Sequence, residues 1–172
     1  MTGTHAIRPA RADELALLPA IERDAQQRYR SVGYDYCADG PLRDPEEHAR
    51  AFGEGTVLVA AADGALVGFL LAWPADGRAH IVEVSVRRSH QGRGIGRALF
   101  AAAEAWARGA GYDEVTLTTY LEVSWNAPLY ESLGFVRFEP GPDRPELRQI
   151  QADEAAWGFA RWPRGAMRKA LV

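Results

Sequence analysis

The stretch QGRGIGRALF, residues 91–100, constrains the fold of this chain more than any other. Its glycines alternate with larger residues and are accompanied by two arginines: Gly92, Gly94, Gly96, Arg93 and Arg97. An apolar helical pattern begins directly afterwards, and the N–H groups in the first turn of a helix lack intrahelical acceptors and attract anions. Glycines also let a ligand approach the backbone closely. The stretch therefore predicts a phosphate-binding turn between a strand and a helix.

Two familiar phosphate-binding motifs fit this stretch poorly. A dinucleotide-binding fold needs G-x-G-x-x-G near the start of the chain, whereas here Arg97 occupies the third glycine position and the predicted strands of the meander come first. The Walker motif needs a lysine after its last glycine, and none is present. A turn that only packs a helix against a strand is the remaining alternative. Three glycines and two arginines at one helix start disfavour it.

The composition limits the class of protein. A length of 172 residues with 47% hydrophobic and 25% charged residues predicts one domain over residues 1–172. The net charge of -3 disfavours a general nucleic-acid or membrane-surface partner. Cys37 is the only cysteine, which excludes an internal disulfide and fits a reducing compartment. No export signal or run of eighteen apolar residues is present, so we expect a cytoplasmic protein. The near-exclusive use of arginine over lysine is typical of a GC-rich bacterial genome.

The first third of the chain predicts a short strand, two helices and a loop-rich insert. The strand covers residues 6–9, and Asp13 is the expected N-cap of a helix that Pro19 kinks or restarts. Residues 31–45 show turn formers and aromatic residues without a period. A short helix over residues 46–52 follows and is closed by Gly53.

The rest of the chain predicts a mixed sheet. Residues 56–62, 65–73 and 80–86 form an antiparallel meander with an Asp63-Gly64 hairpin. A helix over 94–108 then leads to a strand over 114–119, a unit that normally pairs its strands in parallel. The later elements are a helix over 126–133 and strands over 135–138 and near 167–171. The fold class is therefore α/β (α+β), with a mixed, mostly antiparallel central sheet.

Two segments resemble one known family. QGRGIG, residues 91–96, resembles the Gln/Arg-x-x-Gly-x-Gly pyrophosphate loop of the GNAT superfamily of acetyl-CoA-dependent N-acetyltransferases. NAPLYESLGF, residues 126–135, is similar to that family's Asn-x-x-x-Tyr...Leu-Gly-Phe segment. With the apolar strand 81–86 the resemblance covers residues 81–138 and implies the family's central sheet flanked by helices. Residues 31–45 and 141–164 match nothing specific, and in this family such regions face the acceptor.

The resemblance implies acetyl-CoA as co-substrate and a set of residues that bind it. The pantetheine arm is expected along the strand at Val84 and Val86, next to a following strand that splays away and exposes Thr118 or Thr119. Asn126 is expected to hold the coenzyme and also to cap its helix. The pyrophosphate is expected on the glycine-rich turn: Gln91, Gly92, Arg93, Gly94, Ile95, Gly96 and Arg97.

The same resemblance makes Tyr130 the candidate acid for the departing thiolate, the alternative being a tyrosine that only packs on its helix. Glu83 is the first candidate base, because a carboxylate within the apolar strand IVEVSV is costly to bury without a purpose. The alternative is that Glu83 lies on an exposed face of the strand and is only solvated. His80 ranks second, because a histidine near the start of its strand is as readily a solvated side chain as a base. Glu122 is the third candidate.

The acceptor is an amine of unknown identity. Asp35 and Asp39 would suit a cationic acceptor. The four histidines show no metal-ligand spacing with carboxylates, so no metal is expected. Aromatic residues could wall the acceptor pocket: Tyr29, Tyr34, Tyr36, Trp73, Trp125 and Trp157.

The expected function is acetyl transfer from acetyl-CoA to a primary amine of a small molecule or peptide by direct attack. The alternative is a non-catalytic acyl-CoA-binding sensor or interaction domain of the same fold, and a nicotinamide-nucleotide binder is a third reading. Since many members of the family are dimers, a homodimer is an assembly that the resemblance allows.

Overall fold

The computed structural model describes residues 5–172. The first four residues, part of the segment in which no export signal was found, lie outside the described residues. The strands of the described chain form one seven-stranded sheet in the order β1-β2-β3-β4-β5-β7-β6. They are β1 Ala6–Pro9, β2 Thr56–Ala62, β3 Ala65–Ala75, β4 Arg78–Val86, β5 Glu114–Tyr120, β6 Val136–Phe138 and β7 Arg164–Ala170.

The directions of these strands confirm the predicted fold class. β4 and β5 run parallel, joined by a helix, whereas β1–β2, β2–β3, β5–β7 and β6–β7 are antiparallel. The α-helices of the described residues are α1 Leu18–Gln26, α2 Asp35–Asp39, α3 Pro45–Glu54, α4 Ile95–Gly109, α5 Ala127–Ser132 and α6 Pro145–Ala156.

Two Asp-Gly pairs close the hairpins of the meander. Asp63 and Gly64 both have positive φ, 50° and 78°, as the primed turn of a two-residue hairpin requires. The sequence prediction used this pair. Asp76 and Gly77 repeat the geometry between β3 and β4, with φ of 52° and 70°, and the prediction overlooked them.

Three local predictions about helices are wrong or incomplete. Asp13 lies inside a 3-10 helix, Ala12–Leu17, so it caps nothing, and α1 starts at Leu18 with Pro19 in its first turn. The second helix ends two residues later than predicted, at Glu54, and is closed by Gly55, not Gly53. α2 lies in the predicted loop-rich insert, and α6 lies in a segment for which no element was predicted.

The chain divides into two compact units, and the expectation of one domain over residues 1–172 stays a prediction. The first unit comprises the described residues up to Trp73 together with Val82–Trp106. In its core, apolar residues of α1 and α3 pack on one face of β2 and β3, where alternate residues point the same way. This cluster consists of Leu18, Ile21, Ala51, Val57, Val59, Phe69, Leu71 and Trp73.

The second unit comprises Pro74–Ile81 and Ala107–Val172. Its centre is β5, which pairs in parallel with β4 at Ala79–Ile81 and in antiparallel with β7 along its whole length. The side chains buried deepest in this unit include Phe135, Leu147 and Met167, none more than 2% exposed.

Candidate functional site

The glycine-rich turn leaves its backbone open on one side. Gly92 and Gly94 adopt left-handed φ angles of 75° and 81°, which side chains other than glycine rarely tolerate. A Cβ placed on Gly92, Gly94 or Gly96 would meet no atom within 4 Å. Packing within the protein therefore does not require these glycines to be small, and open space lies over the backbone that they expose.

The helix that follows supplies the donors of an anion site. The N–H of Ala98 donates to the carbonyl of Gly94 at 3.0 Å and closes the first turn of α4. The three preceding N–H groups, from Ile95 to Arg97, come before the first intrahelical bond and point out of the helix end. Ile95 is 2% exposed, so it anchors the helix by its side chain and can offer a ligand only its backbone. Arg93 and Arg97 are exposed beside this helix end.

Gln91 connects the turn to the end of β4. Its side-chain Nε2 donates to the carbonyl of Val86 at 2.8 Å. The resemblance assigns Gln91 to the coenzyme, and in this structure its amide holds the turn against the strand. Val84 and Val86 are half-buried on β4 with buried Ser85 between them.

Glu83 is partnered, which explains how a carboxylate lies within an apolar strand. Its Oε1 accepts a hydrogen bond from Ser85 Oγ at 2.8 Å, and its Oε2 lies 3.7 Å from Arg43 Nε. The side chain remains 23% exposed, so solvent or a substrate still reaches it.

Glu22 of α1 is a residue that the sequence analysis missed. It is 2% exposed, and both carboxylate oxygens accept the backbone N–H of Arg43, at 3.0 and 3.1 Å. Burial, followed by the negative charge of Glu83, raises the pKa of Glu22 to about 8 from an ordinary value of 4.5, and the charge of Glu47 adds to this rise. The N–H and the guanidinium of Arg43 act in the opposite direction. Burial therefore favours the neutral form of the Glu22 carboxyl at neutral pH.

Arg43 ties these carboxyl groups together. Besides the contacts above, its Nη1 lies 3.0 Å from Glu47 Oε1 and its Nη2 donates to the carbonyl of Val82 at 3.3 Å. The sequence did contain a signal for Glu22, because it falls four residues after Leu18 and next to Ile21, on the apolar stripe of α1. A carboxyl group on such a stripe indicates burial.

Asn126 and Tyr130 belong to the second unit. The expectation that Asn126 caps α5 by its side chain is wrong: the residue is 6% exposed, has φ -111° and ψ -113°, and makes no side-chain cap hydrogen bond. Its carbonyl instead accepts the N–H of Tyr130 at 3.0 Å. The carbonyl of Tyr130 accepts the N–H groups of Leu133 and Phe135, both at 3.0 Å, and its half-buried ring is tilted against Phe135 at 6.3 Å.

The other two candidate bases differ in burial. His80 is 2% exposed, and its Nδ1 lies 3.0 Å from Thr116 Oγ1, so the idea of a solvated His80 is wrong. Glu122 is exposed.

The acidic residues of the insert are engaged within the protein. Arg30 forms ion pairs with Asp35 at 3.6 Å and, more tightly, with Asp39. The rings of Tyr29 and Tyr34 stack with centroids 6.3 Å apart. The charge that Asp35 and Asp39 offer to a cationic acceptor is therefore partly neutralised.

Residues 5–172 contain no group of three or more His, Cys, Asp or Glu side chains arranged to hold a metal ion. In the same part of the chain, no helix has the length and apolar character needed to cross a membrane.

Comparison with known proteins identifies the family. Residues 18–135 match the acetyltransferase (GNAT) family. A curated relative, the probable N-acetyltransferase family 8 member 5 of Mus musculus, is 32% identical over 111 residues, which cover 60% of this chain and 49% of the relative. The chain thus spans about half the length of that relative.

Solved structures show the same fold. PaiA N-acetyltransferase from Thermoplasma acidophilum, determined in complex with coenzyme A, superposes with a TM-score of 0.70 at 17% identity, covering 97% of this chain and 99% of that one. The ribosomal-protein-S18-alanine N-acetyltransferase from Escherichia coli gives 0.68 at 18% identity, with 98% and 94% covered. Since the family match extends over more than half of the sequence, this chain belongs to the acetyltransferase (GNAT) family.

Proposed function

We propose that this chain transfers an acetyl group from acetyl-CoA to a primary amine of a small molecule or peptide, by direct attack of the amine on the thioester. The observation that carries the proposal is the open glycine turn at the start of α4, next in sequence to a strand that bears a solvent-accessible carboxylate. Family membership supports the same chemistry.

The glycine turn is our proposed pyrophosphate site. The backbone of residues 91–97, with the side chains of Arg93 and Arg97, offers N–H groups and positive charge to an anion, and each well-placed negative charge gains roughly 0.3–1 kcal/mol from a helix N-terminus. Val84 and Val86 would pair with the pantetheine arm, and Asn126 would contact the coenzyme. Acetyl-CoA, when bound, supplies the activated thioester.

Tyr130 is the proposed acid that protonates the departing thiolate. The reference pKa values of about 10 for tyrosine and about 8.5 for a thiol make this transfer uphill by roughly 2 kcal/mol. Three backbone hydrogen bonds fix the main chain of Tyr130, which supports the role because a fixed main chain limits the positions that its side chain can take.

Glu83 is the proposed base, and it acts late or through water. An alkylammonium with a pKa near 10.4 cannot readily lose a proton to a glutamate near 4.3, since the gap of about 6 units costs roughly 8 kcal/mol. The amine of the tetrahedral intermediate is far more acidic, so Glu83 can take that proton or orient the acceptor.

The test is acetyl-CoA turnover by thiol release with a panel of primary amines. We expect Tyr130→Phe to lower kcat about tenfold or more with coenzyme affinity nearly unchanged, and Glu83→Gln to remove the lower limb of the pH–rate profile. Glu47→Gln is the matched control, since it removes a carboxylate from the same arginine. If Tyr130→Phe and Glu83→Gln both leave the rates unchanged, the proposed mechanism is wrong.

The same panel tests the alternative of a non-catalytic sensor. Coenzyme binding without acetylation of any amine would favour the sensor, and stabilisation by NADH but not by CoA would favour the nicotinamide reading. We also propose a cytoplasmic setting, with which the single cysteine agrees, and a bacterial source, with which the use of arginine over lysine agrees. A homodimer is the assembly that we propose to test.

A further inference from the structure

Arg43 links the proposed base to two helices of the first unit. It lies in the loop before α3, directly ahead of Asp44, the N-cap residue of that helix. Its main-chain N–H donates to Glu22 of α1, while its side chain reaches Glu47 of α3 and Glu83 of β4. All of these residues belong to the same compact unit. Carboxyl groups from three separate elements therefore meet at one arginine.

The start of α3 determines where the Arg43 side chain lies. Asp44 and Glu47 form a capping box, in which Asp44 Oδ1 accepts the N–H of Glu47 at 2.8 Å and Glu47 Oε2 accepts the N–H of Asp44 at 3.0 Å. The box leaves Glu47 Oε1 for Arg43 Nη1, which lies 3.0 Å away. Arg43 Nη2 donates to the carbonyl of Val82 at 3.3 Å. These contacts hold the guanidinium so that its Nε lies 3.7 Å from Glu83 Oε2.

Glu22 and Glu83 repel one another, and their surroundings treat them differently. Glu22 is 2% exposed and accepts the main-chain N–H of Arg43, and its burial favours the neutral form. The side chain of Glu83 is 23% exposed, accepts a hydrogen bond from Ser85 and faces the guanidinium. An opposite charge within ~4–6 Å favours the ionised form of a carboxyl group, whereas the negative charge of Glu47, which shares the guanidinium, acts in the other direction.

We infer that Arg43 is a positioning residue for the proposed base: its guanidinium holds the Glu83 carboxylate in place and keeps the negative charge of the pair Glu22 and Glu83 on Glu83. The inference rests on the proposed function, in which Glu83 is the base. Arg43 acts through Glu83, because only a charged carboxylate can take the proton of the tetrahedral intermediate. The same charge placed on Glu22 would be buried out of reach of a substrate.

The guanidinium can be removed without loss of the hydrogen bond to Glu22, because that bond uses the main-chain N–H of Arg43. In Arg43→Gln, Glu83 loses its positive neighbour and keeps its proton to higher pH. We therefore expect the lower limb of the pH–rate profile for acetyl transfer to move up by about one pH unit, with kcat at high pH and the KM of acetyl-CoA nearly unchanged. Arg43→Lys retains the positive charge and should place the limb within about half a unit of the wild type.

Arg50→Gln is the matched control. Arg50 pairs with Glu54 at 3.1 Å, and Arg43 likewise pairs with a glutamate four residues later, but Arg50 and Glu54 are exposed. Its removal should leave the limb in place. Arg43→Met has an unbranched side chain that can follow the path of the arginine stem, so it keeps the test valid if Arg43→Gln folds poorly. A limb that stays at the wild-type pH in Arg43→Gln and Arg43→Met, or that moves as far in Arg43→Lys, would overturn the inference.

A direct titration separates the failure of this inference from the failure of the proposed function. In the full chain labelled with carbon-13 at the side-chain carboxyl of glutamate, NMR follows Glu83, whose signal is assigned by its loss in Glu83→Gln. A midpoint that rises by about one unit in Arg43→Gln, in a protein that acetylates no amine, would support the hold of Arg43 on Glu83 and overturn the proposed function. Acetylation of amines with an unchanged midpoint would overturn the inference and leave the proposed function standing.

Discussion

Replacement of Glu22 by glutamine should change how the stability of this protein depends on pH. Glutamine has the shape of the protonated carboxyl and cannot ionise. Glu22 is buried, and its pKa rises to about 8 in the folded chain from 4.5 when exposed. Below pH 4.5 the group is protonated in both states, so its stabilising contribution is fully present. As the pH rises towards 8, the unfolded chain releases the proton while the folded chain keeps it, and that contribution is lost.

The magnitude follows from the pKa difference. A shift of about 3.5 units at 1.36 kcal/mol per unit corresponds to about 5 kcal/mol between pH 4.5 and 8 as an upper limit. The free energy of unfolding of Glu22→Gln, taken relative to the wild type, should therefore rise with pH across this window, by at least about 2 kcal/mol. The amide still accepts the N–H of Arg43 through its carbonyl oxygen, so we expect the variant to fold.

We expect urea unfolding, monitored by tryptophan fluorescence at a series of pH values from 5 to 9, to show this difference between Glu22→Gln and the wild type. A constant m-value verifies that the denatured state is unchanged. Glu54→Gln is the control, because it removes an exposed carboxylate of α3 that pairs with a different arginine, Arg50. Its effect on stability should not follow the rise expected for Glu22→Gln. A flat difference between Glu22→Gln and the wild type over the whole range would mean that Glu22 is ionised throughout and would refute the reasoning.

Two glycines give further predictions that share one control, Gly53→Ala, whose added Cβ meets nothing within 4 Å in α3. Gly96→Ala should raise the free energy of unfolding by about 0.5–1 kcal/mol, because alanine favours the helix and the added methyl meets no protein atom. The same methyl should weaken CoA binding about tenfold. Unchanged CoA affinity by calorimetry would contradict the proposed pyrophosphate site. Gly55→Ala should destabilise the protein by about 3 kcal/mol or more in urea unfolding, since its Cβ would lie 2.0 Å from the carbonyl oxygen of Ala72. A free energy of unfolding equal to that of Gly53→Ala would show that the backbone near Gly55 moves aside.

Short-range patterns predicted much of the fold. Asp63-Gly64 marked a hairpin because both of its φ angles must be positive, and the alternating glycines before an apolar helix marked the turn that starts α4. The two motif segments identified the family. Where the local signal was ambiguous the prediction failed, as at Asp13 and Gly53, because several residues nearby satisfy the same capping preference and packing chooses among them.

The candidate site was predicted only where one segment carries it. Glu83 attracted notice as a carboxylate in an apolar strand, and the structure adds its partner Arg43, which lies far away in the sequence. The neutral state of Glu22 depends on the combined burial by these elements, and no local pattern contains that information. Glu154 is similar, since its hydrogen-bond partner Thr118 lies 36 residues away in the chain.

By itself, the sequence determined the class of fold, the family and the turn that we propose for the coenzyme, because each follows from residues that are neighbours along the chain. Only the tertiary structure decided which carboxyl groups are buried and which oxygens their partners occupy. Desolvation and charge interaction depend on distance in space, and segments that are remote in the sequence set those distances.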